Sequence, residues 1–163
     1  RIRTDTPSEV GGDLVANAVA AARAAGGPCV VVDFGVVLSF TALDAAGDLV
    51  GVALAPGLES AAADLRLRAA QLPQVRLEYP ARAAGKNTGE SVRAGIMIGW
   101  SGLTDRLIEA VSAEIAPGGS RPALIGTGEG ALPPVKTAVP FDLWNPDLAL
   151  EGLFIIAGRN APA

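Results

Sequence analysis

Two short segments of this chain carry residue types and spacing suited to phosphate. Gly11-Gly12-Asp13 stands where a helix opens, and Val30-Val31-Val32-Asp33-Phe34-Gly35 ends an apolar strand in Asp-x-Gly. A carboxylate at a helix mouth is favoured by the helix dipole and by free backbone N–H groups. As a base, Asp13 would take a proton from an attacking hydroxyl. A glycine two residues after a strand-end Asp permits a tight turn whose N–H groups face a phosphate. Asp33 itself can hold a metal ion or its water. Each segment also has a plain structural reading: Asp13 as a first-turn capping residue, Asp33 as the start of an ordinary turn.

Two later segments add polar groups at loop positions. Gly85-Lys86-Asn87-Thr88 presents polar side chains at another helix start, suited to an anion or a polar substrate, or serves as an N-cap. It is not the end of a Walker A loop, because Pro80 stands where that motif needs its first glycine and no apolar strand feeds it. Gly126-Thr127-Gly128-Glu129-Gly130 follows a short apolar strand, and its glycines let a flat ligand or a phosphate approach the backbone. The same loop also reads as a simple connection. Trp100 and Trp144 read as packing residues, and Cys29 as a small buried hydrophobe. The chain has no histidine, which excludes Ser-His-Asp and Cys-His catalysis and most zinc sites. Acid–base chemistry must come from carboxylates or Lys.

The elements that position these residues follow from periodicity. Leu14, Val15, Ala18, Val19 and Ala22 mark one helix face, closed by Gly26-Gly27-Pro28. Cys29 to Asp33 is a continuous apolar run, the mark of a strand buried on both faces. Val36 to Leu43 and Leu49 to Leu54 read as two more strands of a meander, joined by a turn at Asp44 to Gly47. A helix is expected from Leu58 to Leu72, stopped by Pro73, and irregular chain from Val75 to Ala84. Asn87 or Thr88 caps a long helix with Val92, Ile96, Leu103, Leu107, Val111 and Ile115 on its apolar face. Pro117-Gly118-Gly119 closes it. Ala123 to Ile125 and Val135 to Val139 read as short strands. Asn145-Pro146 starts a last helix through Ala149, Leu150, Leu153, Ile156 and Ala157. The expected fold class is α/β, a mixed sheet flanked by helices in one domain over residues 1–163.

Composition narrows the class of partner. Half of the 163 residues are apolar and only 4% aromatic, so the core is built from aliphatic residues. The net charge is −4 and no Lys/Arg run occurs, which argues against nucleic acid and anionic membranes. No segment reaches the roughly 18 to 20 apolar residues of a membrane span. One cysteine excludes a disulfide within the chain and suits a cytoplasmic setting. The chain begins at Arg1 and is expected to be a processed chain or part of a longer one.

Taken in order, the motifs resemble those of type III pantothenate kinases (also called the Baf, or Bvg accessory factor, family). Pro7 to Ala21 looks like the family's Gly-x-Asp-Arg helix, and Gly27 to Gly35 like its second phosphate-binding strand. Leu54-Ala55-Pro56-Gly57-Leu58, Leu72-Pro73, Gly85-Lys86-Asn87-Thr88 with Gly95 and Gly99, the glycine-rich loop after Ile125, and Leu148 to Leu153 follow the same pattern. The resemblance covers essentially the whole chain. It implies half of an actin/sugar-kinase/Hsp70-like (ribonuclease H-like) fold, with this chain as the C-terminal domain and the N-terminal domain, with its Asp-x-Gly-Asn-Thr loop, absent.

The resemblance also implies phosphorylation of pantothenate by ATP in coenzyme A synthesis, in a homodimer using magnesium and a monovalent cation, potassium or ammonium. By position, Asp13 would be the general base, Gly11, Gly12 and Thr88 would meet pantothenate, and Asp33 would hold the monovalent cation. Gly35, Val36, Gly126, Thr127 and Gly128 would lie against the nucleotide. Three positions depart from the family pattern. Leu14 stands where the family has Arg, Val36 where it has Thr, and Glu129 interrupts paired glycines with a negative charge. These departures raise an alternative, a non-catalytic family member that binds a ligand or partner. A DNA-binding regulator is disfavoured by the acidic charge.

Overall fold

The computed structural model describes residues 1–118, 120–130 and 139–160. Helix α1 (Gly12–Ala25) leads into strands β1 (Cys29–Phe34), β2 (Val37–Leu43) and β3 (Leu49–Pro56). Helices α2 (Leu58–Arg68) and α3 (Thr88–Ile115) follow, then β4 (Ala123–Thr127), β5 (Leu143–Trp144) and α4 (Leu148–Asn160). The strands form one sheet in the order β3-β2-β1-β4-β5. β1 is antiparallel to β2, from Cys29↔Leu43 to Phe34↔Leu38, and parallel to β4, from Cys29↔Ala123 to Asp33↔Thr127.

The continuous apolar run of β1 is buried on both faces, as its sequence requires. Alternate side chains enter opposite layers. Val30, Val32 and Phe34 join Met97 and Trp100 of α3, while Cys29 and Val31 join Ala18, Ala20 and Ala21 of α1 and Leu148 of α4. Each such valine, fully buried, is worth about 1.5–3 kcal/mol. Burial pushes the Cys29 thiol up to about 11, so it stays protonated and inert. Phe34 closes the other layer with its ring 5.9 Å from Trp100 and 5.7 Å from Trp144. Both tryptophans are packing residues, and Trp100 Nε1 donates to the Pro56 carbonyl at 3.1 Å.

The meander forms as expected. Its β2–β3 turn is held by Asp44 Oδ1, which accepts the N–H groups of Ala46 and Asp48, and Gly47 supplies φ +75°. Residues 75–84 form no helix or strand, also as expected. Several boundaries differ. β2 begins at Val37 rather than Val36, and β4 runs on through Gly126 to Thr127 because its register with β1 continues to Asp33. α2 ends at Arg68, well short of Pro73, since only Leu58 of this helix is buried and no packing carries the helix on. On α3 the expected Ile96, Leu107, Val111 and Ile115 pack partly buried against the core, Ala94, Met97, Trp100 and Thr104 are buried more deeply, and Leu103 is exposed.

β5 was not expected. It pairs in parallel with β4 and carries the partly buried Trp144, and Asp142 Oδ2 accepts the Leu124 N–H at 2.8 Å. α4 begins at Leu148 rather than Asn145, whose Oδ1 instead accepts the Asp147 N–H in a turn. Of the expected strand Val135 to Val139, residues 135–138 lie outside the described residues, and Val139 is buried in the core.

α4 packs on α1 through Leu148, Gly152 and Ile155, leaving Leu150 and Leu153 exposed. The cause is close helix contact. A Cβ at Gly152 would lie only 1.8 Å from the Ala16 carbonyl oxygen, so the inward face is set by a residue without a side chain. Gly152→Ala should therefore cost about 1–3 kcal/mol of stability, read as a lowered urea midpoint by tryptophan fluorescence. An unchanged midpoint would mean that α1 and α4 can separate without loss.

Candidate active site

The parallel strands β1 and β4 end side by side, and the crevice beyond such carboxyl ends is where open α/β sheets hold ligands. Asp33 closes β1 opposite Thr127, which is buried. The chain then leaves β4 through Gly128 at φ +90°. A Cβ there would lie 2.6 Å from Asp33 Oδ1 and 2.7 Å from the Phe34 carbonyl oxygen. Only glycine lets the loop pass this close. The Gly130 N–H donates to the same carbonyl at 2.6 Å, so residues 128–130 strap across the end of β1.

α1 supplies the other side. Asn17, 1% exposed, donates from Nδ2 to Asp33 Oδ2 at 3.0 Å. Asp13 lies one turn earlier on the same helix face, exposed, in a first turn capped by Gly11. Burial holds the Asp33 carboxyl above its ordinary range; the Asn17 hydrogen bond opposes this, and the charge of Asp13 adds to it. Asn17 Oδ1 is buried with no hydrogen-bond partner. Sequence reasoning missed Asn17. The available signal was a lone amide four residues after Asp13, on the same face of an alanine-rich helix.

The Gly35-Val36 turn is exposed, and Val36 projects its side chain into solvent, 82% exposed. Its carbonyl accepts the Gly57 N–H at 3.0 Å and the Ser60 hydroxyl at 2.8 Å. A Cβ at Gly57 would lie 2.2 Å from the Gly35 carbonyl oxygen, so glycine brings the N-terminus of α2 against the turn. Between them opens a cleft of about 450 Å³ bounded by Gly35, Val36, Glu59, Ser60, Glu129 and Gly130. Two carboxylates, Glu59 and Glu129, thus face one cavity. Leu14 is buried in the core.

Two sequence candidates stand apart from this cluster. Gly126 faces packing, since a Cβ there would lie 2.4 Å from the Trp144 ring. Thr88 begins α3, on the opposite face of the sheet from α1. Among the described residues, no hydrogen bond or ion pair joins it to Asp13 or Asp33. The α3 start is a closed cap. Asn87 Oδ1 accepts the Glu90 N–H, and the Glu90 carboxylate accepts the Lys86 N–H and the Asn87 amide, each at 2.9 Å. The Lys86 N–H, with Asn87 and the nearby Arg82 and Arg93 charges, holds the Glu90 carboxyl low.

No three Asp, Glu, His or Cys side chains converge among the described residues. The donor at the end of β1 is an oxygen group, the Asp33 carboxylate, with Oδ2 taken by the Asn17 amide. Such a donor fits a hard cation that takes its remaining ligands from water or substrate.

A family model described as type III pantothenate kinase matches residues 1–110. Curated type III pantothenate kinases match nearly the whole chain. That of Thermobifida fusca is 40% identical over 98% of this chain and 62% of its own length. Those of Dehalococcoides mccartyi and Moorella thermoacetica are 34% and 40% identical, again over 98% of this chain and 60% and 61% of theirs. The chain thus spans about three fifths of the length of these relatives. A Campylobacter jejuni structure described as a Baf family transcriptional activator superposes with a TM-score of 0.53 at 16% identity, covering 93% of this chain and 66% of that one. At that identity the likeness shows the fold, and it agrees with half of an actin/sugar-kinase-like architecture.

The raised Asp33 carboxyl has a signed consequence. The folded state binds this proton more tightly than the unfolded state, so its contribution is fully present below the unfolded carboxylate value of about 4. It is lost as pH rises through the raised folded value. Asp33→Asn should therefore gain in melting temperature over the wild type between pH 3.5 and pH 7. A pH-independent difference would place Asp33 in a solvated setting.

Proposed function

This chain belongs to the type III pantothenate kinase family, and we propose that the protein transfers the γ-phosphoryl group of ATP to the hydroxyl of pantothenate, in coenzyme A synthesis. The observation that carries this is the meeting of Asp13, Asn17 and Asp33 where β1 and β4 end, under the Gly128 strap. In this reading residues 1–163 form a single unit corresponding to the family's C-terminal domain.

Asp13 is the base. It is exposed at a helix start with Gly12 beside it and open space around that glycine, so a substrate hydroxyl can reach it. Asp13 takes the hydroxyl proton as that oxygen bonds to the γ-phosphorus and the bond to the ADP oxygen breaks. Gly11 and Gly12, at the mouth of α1 beside Asp13, contact pantothenate, and Thr88 on the opposite face is left out of this site. The Gly35-Val36 turn, Thr127 and Gly128 face the nucleotide, while Gly126 is taken up by packing against Trp144. Asp33 would hold a monovalent cation, potassium or ammonium. When bound, that ion and magnesium would balance charge on the phosphates. The protein's own part is to position and to hold charge in place.

A homodimer in the cytoplasm completes the reading. Leu150, Leu153 and Phe154 form an exposed apolar stripe on α4, Phe154 being 82% exposed. A second copy is the occupant proposed for it. No helix among the described residues is long and apolar enough to cross a membrane.

One observation favours the alternative, a family member that binds without turnover. Glu129 and Glu59 line the cleft beside the phosphate turn, Val36 brings no hydroxyl to it, and buried Leu14 brings no positive charge. Two expected outcomes separate the readings. Asp13→Asn should lower pantothenate-dependent ADP release by about 10²- to 10⁴-fold with the fold intact, and an unchanged rate removes Asp13 as the base. Glu129→Gly should tighten magnesium–ATP binding by about fivefold, the effect of one unit charge worth about 1 kcal/mol. Calorimetric affinity equal to the wild type would place Glu129 outside the nucleotide's field.

A further inference from the structure

We propose that Asn17 is a positioning residue, which holds the Asp33 carboxylate in the one orientation that presents an oxygen to a cation at the end of β1. This rests on the reading of Asp33 as a cation ligand. The geometry divides the two carboxylate oxygens. Oδ2 receives the Asn17 amide at 3.0 Å, while Oδ1 is the oxygen that faces Gly128, 2.6 Å from where a Cβ would stand. Asn17 thus occupies one oxygen and turns the other toward the strap.

The second observation concerns what Asn17 costs. Its side chain is 1% exposed in a helix otherwise buried through leucine and alanines, and its own Oδ1 has no partner. An unsatisfied buried carbonyl is destabilising, and the amide's one hydrogen bond, to Asp33, is all that offsets it. Packing alone would therefore favour leucine at this position. A residue that breaks a local rule at a site is expected where function demands it. Asn17 also supplies what Asp33 needs, because it donates to the charged form without adding charge to a pair that Asp13 already repels.

The test separates holding a ligand from holding the fold. Thallium(I), a potassium analogue, is titrated into the full chain with ²⁰⁵Tl resonance as the readout, and melting temperature is measured alongside. Asn17→Leu should stay folded within a few degrees of the wild-type melting temperature, the relief of the unpartnered carbonyl offsetting the lost Asp33 hydrogen bond, and bind thallium at least tenfold more weakly. Asn17→Ser, which removes the clamp with a smaller change in packing, should weaken thallium binding in the same direction. Equal thallium affinity in wild type and both variants would overturn the positioning role alone. No thallium binding by the wild type would overturn the cation role of Asp33 and this proposal with it. A melting temperature well below wild type for Asn17→Leu, or loss of folding in both variants, would make Asn17 a packing residue and overturn the proposal.

Discussion

Strand β1 is hydrogen-bonded on both edges and packed on both faces, and the rest of the molecule is arranged around that constraint. Antiparallel β2 and parallel β4 give the strand no freedom to slip, since a shift of one residue would send every valine to the wrong layer. The polar residue that follows the apolar run therefore emerges at a defined point. That point is the common end of β1 and β4, where Asp33 meets Thr127 in register. The α1 layer then covers it from one side with Asn17 and Asp13, and the 128–130 strap covers it from the other.

The features that oppose stability gather at this place. A partly buried carboxylate stands near a second carboxylate, and an amide oxygen lacks a partner. Each costs free energy, and stability-driven packing supplies no reason for either of them. The cap of α3 offers the contrast. There Asn87 and Glu90 satisfy each other and the exposed N–H groups, and an ordinary stabilising device results. The three departures from the family pattern act through different physics. Leu14 has become part of the core, Val36 exchanges a polar turn side chain for an exposed apolar one, and Glu129 adds charge to a cleft already holding Glu59.

Small residues decide where helices and loops come closest. Gly57 admits α2 to the Gly35-Val36 turn, Gly126 makes room for Trp144, and Gly152 admits α4 to α1. In each case the neighbour is backbone or a ring that cannot yield cheaply. The approach of α4 has a further effect. By turning Gly152 inward it leaves Leu150, Leu153 and Phe154 on the outside, so one glycine sets both an internal contact and the exposed apolar stripe.

The sequence by itself determined the α/β class, the meander, the doubly buried strand, the capped start of α3 and the placing of Asp13 and Asp33 at element ends. All of these follow from local rules: period, run length, turn residues and caps. Tertiary structure decided the rest. Whether Leu150 faces in or out depends on which residue of α4 can approach Ala16, and periodicity cannot say that. The end of α2 depends on how little of it is buried, and β5 on a pairing with β4 that two residues cannot announce. Asn17 belongs with Asp33 only because α1 folds over the end of β1. That contact spans sixteen positions of sequence, and no local pattern encodes a distance of that kind.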